Sequence, residues 1–153
     1  MSIFSSFDTS ASGLSAERLR MDLISNNLAN VNTTRTESGG PYRRQLAVFQ
    51  ARNPHTSFFD MVNRDPDKFH EDEKIGRGVR VLKIVDDPSP LRKEYAPEHP
   101  DANKEGYLLK PNVNVVHEMV DMITASRAYE ANITSINTSK DMILRALDIG
   151  RQG

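Results

Sequence analysis

The side chains best suited to chemistry in this sequence form an acidic cluster between residues 65 and 73. Their oxygen atoms could bind a hard cation such as Ca²⁺. The cluster lacks the loop glycine and the ligand spacing of an EF-hand, so we expect a solvated acidic loop and predict no metal site. Its members are Asp65, Asp67, His70, Glu71, Asp72 and Glu73.

The other candidate chemical groups do not form a catalytic motif. His117 and Glu118 are adjacent, but no second histidine follows one turn later as in a zinc protease, and a surface pair is expected. No glycine-rich stretch continues into the Lys-Ser or Lys-Thr of a phosphate-binding loop. An enzyme would need Tyr95, His99 and Asp101 to meet in an unexpected pocket. We therefore predict no catalytic residue, no cofactor and no enzyme.

Composition and charge narrow the class of protein. The 153 residues include 37% hydrophobic residues and no tryptophan, which predicts a thin core spread along the molecule. The 20 basic and 21 acidic residues are interspersed, so nucleic acid is a poor candidate partner. The absence of cysteine excludes disulfides and thiolate chemistry.

The sequence also bears on targeting. Residues 1–8 lack the basic start and the apolar run of a signal peptide. No stretch approaches the ~20 apolar residues that cross a bilayer as a helix. We expect neither direct membrane insertion nor export by the general secretion route.

Two long amphipathic segments, one near each end of the chain, are the elements expected to position its functional residues. In each, apolar residues recur in alternating steps of four and three, the pattern of a helix that packs on another helix. The C-terminal stripe comprises Val115, Met119, Met122, Ser126, Tyr129, Ile133, Ile136, Lys140, Ile143 and Leu147. A weaker N-terminal stripe comprises Phe7, Ser10, Leu14, Glu17, Met21, Ile24, Leu28 and Val31. Backbone ordering costs about 1–2 kcal/mol per residue, so we expect such helices to need partners.

The middle of the chain predicts short strands between turns. Residues 42–49, 79–85 and 106–110 are rich in β-forming residues. Recurring prolines between residues 86 and 100 favour an extended connector without regular structure. The sequence predicts an α+β fold, in which long N- and C-terminal helices pack as a coiled-coil-like pair beside a small antiparallel β-rich middle domain.

The expected segments follow from these patterns. We predict the N-terminal helix of a core domain in residues 1–34, the β-rich middle domain in 35–111, and the C-terminal helix of the core domain in 112–153. The first helix should end at Val31 or Asn32, and the second should end at Gly150.

An asparagine tract lies near the end of the first helix, where it lowers helix propensity. Asn26, Asn27, Asn30 and Asn32 belong to it. One interpretation is a frayed helix end with local side-chain hydrogen bonds. The other is amide hydrogen bonding between packed helices, which would set their register.

Several motifs together resemble a known family. Residues 25–30, Ser-Asn-Asn-Leu-Ala-Asn, resemble a motif of bacterial flagellar axial proteins, and residues 125–132 are similar to the second motif of that superfamily. Residues 87–90, 95–103 and 106–114 resemble the C-type proximal rod proteins of the flagellar basal body. The resemblance covers most of the chain.

The resemblance implies a structural subunit that assembles through its terminal helices into a tubular drive shaft, which transmits torque and forms part of the export channel wall. The implied partners are further copies, neighbouring proximal and distal rod proteins, the MS-ring adaptor and the flagellar type III export apparatus. The implied location is the rod within the periplasm, reached without a cleavable signal peptide. A coiled-coil adaptor and a different rod or hook subunit remain alternatives.

The residues expected to mediate assembly lie on the two helices. The packing residues are Leu14, Met21, Ile24, Leu28, Met119, Met122, Ile133, Ile136 and Ile143, and the register residues are Asn27, Asn30, Arg127, Tyr129 and Asn132. The stretch of about residues 53–74 is longer than the resemblance implies. We hypothesise that it contacts a neighbouring or lineage-specific component.

Overall fold

The computed structural model describes residues 3–37, 39–52 and 78–151. The elements in chain order are helix α1 (Ile3–Ala29), strands β1 (Gln45–Ala51), β2 (Val79–Asp86), β3 (Arg92–Tyr95) and β4 (Tyr107–Lys110), and helix α2 (Val115–Arg151). The long helices pack together beside a small antiparallel β region, which confirms the predicted α+β fold. The acidic cluster and the stretch of residues 53–74 lie outside the described residues.

Local hydrogen bonds explain where the helices begin and end. The Asn30 side-chain amide donates to the Asn26 carbonyl at 3.0 Å and so satisfies the last turn of α1. At the start of α2, the Asn114 side-chain oxygen accepts the Val116 N–H at 3.0 Å and caps the helix. Both predicted helix ends are displaced: α1 ends at Ala29 and not at Val31 or Asn32, and α2 continues through Gly150 to Arg151. A single glycine lowers helix propensity by only about 1 kcal/mol relative to alanine.

The strands form two separate antiparallel pairs. In the first, β1 pairs with β2, with Gln45 opposite Asp86. In the second, β3 pairs with β4, with Tyr95 opposite Tyr107. The predicted unstructured connector is therefore wrong over β3. Pro90 and the proline at position 97 flank this strand, so every residue within it keeps a backbone N–H for pairing with β4.

The core is thin and lies where α1 meets its neighbours. Helix α1 packs on α2 along one side and on the β1–β2 pair along another. Among the described residues, the buried apolar side chains are Ala16, Leu23, Ile24, Leu108, Val113 and Ala125. Neither described helix combines the length and apolar character needed to cross a membrane.

Gly78 allows β2 to approach α1 closely. Its φ of +94° lies in the left-handed region, and an added Cβ would lie 2.1 Å from Ser12 Oγ. Ser12 Oγ accepts the Val79 N–H at 3.0 Å, so the hydroxyl cannot move away without loss of that bond. We expect Gly78→Ala to reduce the free energy of unfolding by about 1–3 kcal/mol, measured by chemical denaturation.

A matched substitution at Gly150 provides the control for this prediction. Gly150 is helical, and an added Cβ there would contact nothing within 4 Å. Gly150→Ala should leave stability unchanged or raise it slightly, because alanine has the higher helix propensity. Equal effects of the two substitutions would contradict the role assigned to Gly78.

Candidate assembly site

The two helices meet in one antiparallel register. The Asn27 side-chain amide donates to Glu118 Oε2 at 3.2 Å near one end of the interface. The Ser10 hydroxyl donates to Ser135 Oγ at 3.2 Å near the other end. Between them, a Cβ on Gly13 would lie 2.9 Å from the Asn132 side chain, so the helix backbones approach closely there. Both polar residues and small residues thus line the interface.

The residues of α2 that α1 covers agree with the predicted stripe at alternate positions. At the other positions, the covered residue is the one just before the predicted residue. Met122, Tyr129, Ile136 and Ile143 are at least partly covered, as the periodicity predicts. Met119 and Ile133 are instead 54% and 38% exposed. The residues just before them, Glu118 and Asn132, lie about 100° round the helix and face α1 instead. The full set of covered positions at this spacing is Glu118, Met122, Ala125, Tyr129, Asn132, Ile136, Ser139 and Ile143.

The remaining predicted assembly residues lie in mixed surroundings. On α1, Ile24 and Asn27 are buried, at 5% and 1% exposure. Leu14, Met21 and Leu28, together with Asn30 just beyond α1, are partly covered, whereas Arg127 on α2 is exposed. The structure therefore brings part of the predicted set together within one chain and leaves the rest on the surface.

A group of buried and partly buried polar side chains joins α1, the β region and α2. We call Asn27, Arg44, Glu118 and Asp121 the polar clamp. Glu118 is only 1% exposed, and Arg44 Nε donates to its Oε1 at 2.6 Å. The Arg44 NH2 group donates to Asp121 Oδ2 at 3.1 Å. Arg44 thereby connects the segment before β1 to two successive turns of α2.

Asn27 uses the whole hydrogen-bonding capacity of its amide. Its Nδ2 donates to the Gln45 carbonyl at 3.0 Å as well as to Glu118. Its Oδ1 accepts the Gln45 N–H and the Tyr42 hydroxyl, each at 2.9 Å. The Asn27 side chain thus bonds to both the N–H and the carbonyl of Gln45, as a residue on a neighbouring strand would, and links β1 to α1.

Charge reinforces this geometry. Burial by itself would lower the pKa of the Arg44 guanidinium, but hydrogen bonding to Glu118 and the charges of Glu118, Asp121 and Asp87 outweigh it and raise that pKa. Burial, with the charges of Asp86 and Glu118, raises the pKa of the Tyr42 hydroxyl. Arg44 and Tyr42 thus keep their protons, and both remain donors to the clamp.

Asp87 gives the folded chain an acid-sensitive contact. Hydrogen bonds from Ser89, with a smaller contribution from the Arg44 charge, lower the pKa of Asp87. A lowered folded-state pKa stabilises the protein above the unfolded-state value, and this contribution is lost as the pH falls through the folded-state value. We expect Asp87→Asn to destabilise the protein at pH 7 and to reduce the further loss below about pH 4 in thermal melts. A parallel pH dependence in both proteins would contradict this assignment.

Sequence reasoning missed most of the clamp. Glu118 was expected at the surface with His117; that expectation is wrong for Glu118, because Arg44 and Asn27 compensate its buried charge. His117 itself is exposed. The available signal was a carboxylate that follows Val115 and Val116 and precedes Met119 and Val120, but its partner Arg44 is 74 residues away in the chain.

The residues proposed for an enzyme site do not line one groove in the described part of the chain. An open groove of about 870 Å³ lies beside the β3–β4 pair and is lined in part by Asp101, but neither Tyr95 nor His99 lines it. His99 Nδ1 accepts the Asp101 N–H at 3.1 Å and supports a turn. Asp101 also accepts the Thr34 hydroxyl at 2.9 Å, which ties this turn to the segment after α1.

Two family descriptions match the parts of the chain that form the helix pair. Residues 7–35 match the family described as "Flagella basal body rod protein". Residues 104–149 match "Flagellar basal body rod FlgEFG protein C-terminal". Both matches include residues of the polar clamp.

Similar proteins cover nearly the whole chain. The flagellar basal-body rod protein FlgC of Borreliella burgdorferi is 53% identical over 97% of this chain and 98% of its own length. The chain belongs to the FlgC family. FlgC of Bacillus subtilis is 43% identical over 99% of this chain and 100% of its own, and FlgC of Yersinia enterocolitica is 38% identical over the same shares. The resemblance to C-type rod proteins is confirmed, and this FlgC-family chain is a structural subunit of the flagellar basal-body rod.

Proposed function

We propose that this subunit assembles through α1 and α2 into the proximal part of the rod, a tubular drive shaft that transmits torque and surrounds part of the export channel. In this proposal residues 1–34 and 112–153 form the tube, and residues 35–111 form a domain outside it. The proposed partners are further copies, other proximal rod subunits, the distal rod protein, the MS-ring adaptor and the flagellar type III export apparatus. The rod segment would lie in the periplasm, and export would need no cleavable signal.

An apolar surface on α2 carries the proposal. Near the start of the helix, Val116, Val120 and Ile123 are 69%, 57% and 53% exposed, with Met119 beside them. We call these four residues the apolar patch. Their spacing of four and three places them on one side of α2. Burial of each such side chain contributes about 1.5–3 kcal/mol once a partner covers it.

Exposed apolar side chains also occur at the C-terminal end of α2. Leu144, Leu147 and Ile149 are 49%, 64% and 76% exposed. Separate contact surfaces at the two ends of one helix suit head-to-tail contacts, which form open assemblies when the rotation between subunits does not close. This arrangement supports addition to a growing rod.

The outward side of α1 differs in character. Asp8, Ser15, Arg18 and Asp22 are exposed there, and charged side chains are depleted from the centres of protein interfaces. Contacts between subunits should therefore involve α2 more than the outward side of α1. Met119 and Ile133, which α1 leaves exposed, are proposed to act as packing residues between subunits.

Cysteine cross-linking tests the proposal directly, because the natural chain contains no cysteine. Met119→Cys and Leu147→Cys would be introduced singly and labelled with a reagent that joins a maleimide to a benzophenone. Illumination of isolated basal bodies would then bond the benzophenone to C–H groups of the neighbouring protein. We expect cross-linked products that contain this subunit together with copies or other rod proteins. Ser15→Cys, at an exposed position on the outward side of α1, is the matched control and should cross-link weakly.

The pattern of products separates the alternatives. Cross-links that extend to several rod proteins would support assembly into a tube. A single defined partner and no further products would favour a coiled-coil adaptor. Stronger cross-linking at Ser15→Cys than at Met119→Cys would overturn the assignment of α2 as the contact helix.

A further inference from the structure

Strands β3 and β4 and the turn between them form a unit, residues 92–110, that we call the arm. Its strands pack on neither helix and on neither strand of the β1–β2 pair. Among the described residues of the arm, Leu108 is the one buried apolar side chain. Apolar contacts therefore contribute little to holding the arm against the rest of the subunit.

Contacts within the arm make it rigid in itself. The rings of Tyr95 and Tyr107 meet edge to face, with their centroids 5.4 Å apart. On the other side of the strands, Lys110 Nζ lies 2.6 Å from Glu94 Oε2. In the turn, Asn103 Oδ1 accepts the Tyr107 N–H at 2.8 Å. Any movement of the arm should therefore be movement of one body.

Asn112 joins the base of the arm to the rest of the subunit. Its Nδ2 donates to the carbonyls of Asp87 and Ser89, in the segment that enters the arm, at 3.2 and 3.3 Å. Its Oδ1 accepts the Arg44 N–H at 2.9 Å. Val113, the next residue, is fully buried. The base is thus fixed by several bonds and by a buried apolar neighbour.

A carboxylate attaches the turn of the arm to the segment after α1. Asp101 accepts the Thr34 hydroxyl at 2.9 Å and forms an ion pair with Arg35. We call these two contacts the latch. The Arg35 side chain is 76% exposed, and an exposed ion pair contributes little because water and salt screen it. The latch is therefore a weaker attachment than the base.

The open groove beside the arm leaves space for movement. Its volume of about 870 Å³ is bounded by residues of the arm and by Thr34, Arg35, Gly40 and Pro41 of the segment after α1. Asp101 lines it as well. Because packed side chains do not fill this space, loss of the latch would let the arm move without disrupting the core between α1 and α2.

We propose that the arm is hinged at its base and held closed by the latch. When the latch opens, the arm swings as one body away from the segment after α1 and widens the groove. The helix pair and the β1–β2 pair stay in place, because opening the latch requires less free energy than unfolding the subunit. This inference concerns motion within one subunit and does not depend on which proteins the subunit contacts in the rod.

Distances between paired spin labels in the full-length subunit test this motion. The natural chain has no cysteine, so labels can be attached at introduced cysteines alone. Lys83→Cys with Lys104→Cys reports the position of the arm relative to β2. Asp22→Cys with Lys83→Cys reports the position of α1 relative to β2. All three positions are exposed, and double electron–electron resonance measures the distribution of each distance.

Asp101→Ala removes the latch and preserves the turn, because the backbone N–H that bonds to His99 remains. We expect the population of the open arm to rise roughly 3–10-fold. This rise should appear as additional distances between the labels at 83 and 104, with no change between those at 22 and 83. Glu98→Ala removes an exposed carboxylate from the same turn and should change neither distribution.

The two label pairs separate the possible outcomes. Unchanged arm distances in Asp101→Ala would overturn the role of the latch. Equal broadening of both distributions would overturn the hinge, because the whole subunit would then have loosened. Raised ionic strength should broaden the arm distances in the natural sequence and not in Asp101→Ala, since the variant has no latch ion pair to screen. Equal salt responses would contradict the proposal.

Discussion

Replacement of Arg44 by methionine is expected to reduce the free energy of unfolding by about 3–5 kcal/mol, because it leaves the Glu118 carboxylate buried without its cation. A loss of this size is a large fraction of the total stability of a domain. Methionine retains much of the arginine stem, so the change isolates the charge and its directed bonds. Urea denaturation of the purified subunit at neutral pH measures the effect.

The second substitution at this site gives the control. Arg44→Met combined with Glu118→Leu removes both charges and should recover part of the lost stability, since replacement of a whole buried ion pair by apolar residues is often nearly neutral. Asn27 would still lose one acceptor, because its Nδ2 bonds to Glu118 in the native chain. Additive losses in the double variant would contradict the interpretation of Arg44 and Glu118 as a coupled pair.

Val120→Asp is expected to abolish rod function while the subunit stays folded. Val120 is 57% exposed in the centre of the apolar patch, and exposed substitutions usually change stability by no more than about 0.5 kcal/mol. Within the proposed contact, the same carboxylate would be buried without a partner, at a cost of several kcal/mol. Swimming on soft agar, in a strain whose own copy of the gene is deleted, should fall to the level of the deletion strain.

Ser15→Asp provides a matched change on the outward side of α1. Ser15 is exposed and lies outside the proposed contact helix, so this variant should support swimming. Circular dichroism of both purified variants would establish that each subunit is folded. Normal swimming with Val120→Asp would refute the proposal that the apolar patch is an assembly contact.

Adjacent sides of α2 have different roles. One side holds the polar clamp inside the subunit, and the other presents the apolar patch to solvent. Glu118 points toward Arg44 and Asn27 inside the subunit. Met119, the next residue, is 54% exposed on the side that holds the apolar patch. In a monomeric soluble protein, apolar side chains are usually buried and polar side chains exposed, and this part of α2 shows the reverse. The reversal suits a subunit whose apolar surface is completed by its neighbours.

Local patterns in the chain were sufficient to predict the kind of fold and the family. Periodic apolar residues are a local property of the chain, so α1, α2 and their amphipathic character could be predicted from spacing alone. The turn residues and β-forming stretches likewise located β1, β2 and β4 approximately. The motifs at residues 25–30 and 125–132, with the segments between them, identified the rod proteins before any contact was known.

Contacts between residues far apart in the chain set which side of each element faces inward. Spacing could not distinguish Glu118 from Met119 as the inward residue, because one residue shifts a helical position by only about 100° and the polar partner Arg44 is 74 residues away. Strand β3 likewise depended on its pairing with β4 across a turn. Burial of a charge and pairing of a short strand both require groups from distant parts of the chain, and a local pattern contains no information about when those groups meet.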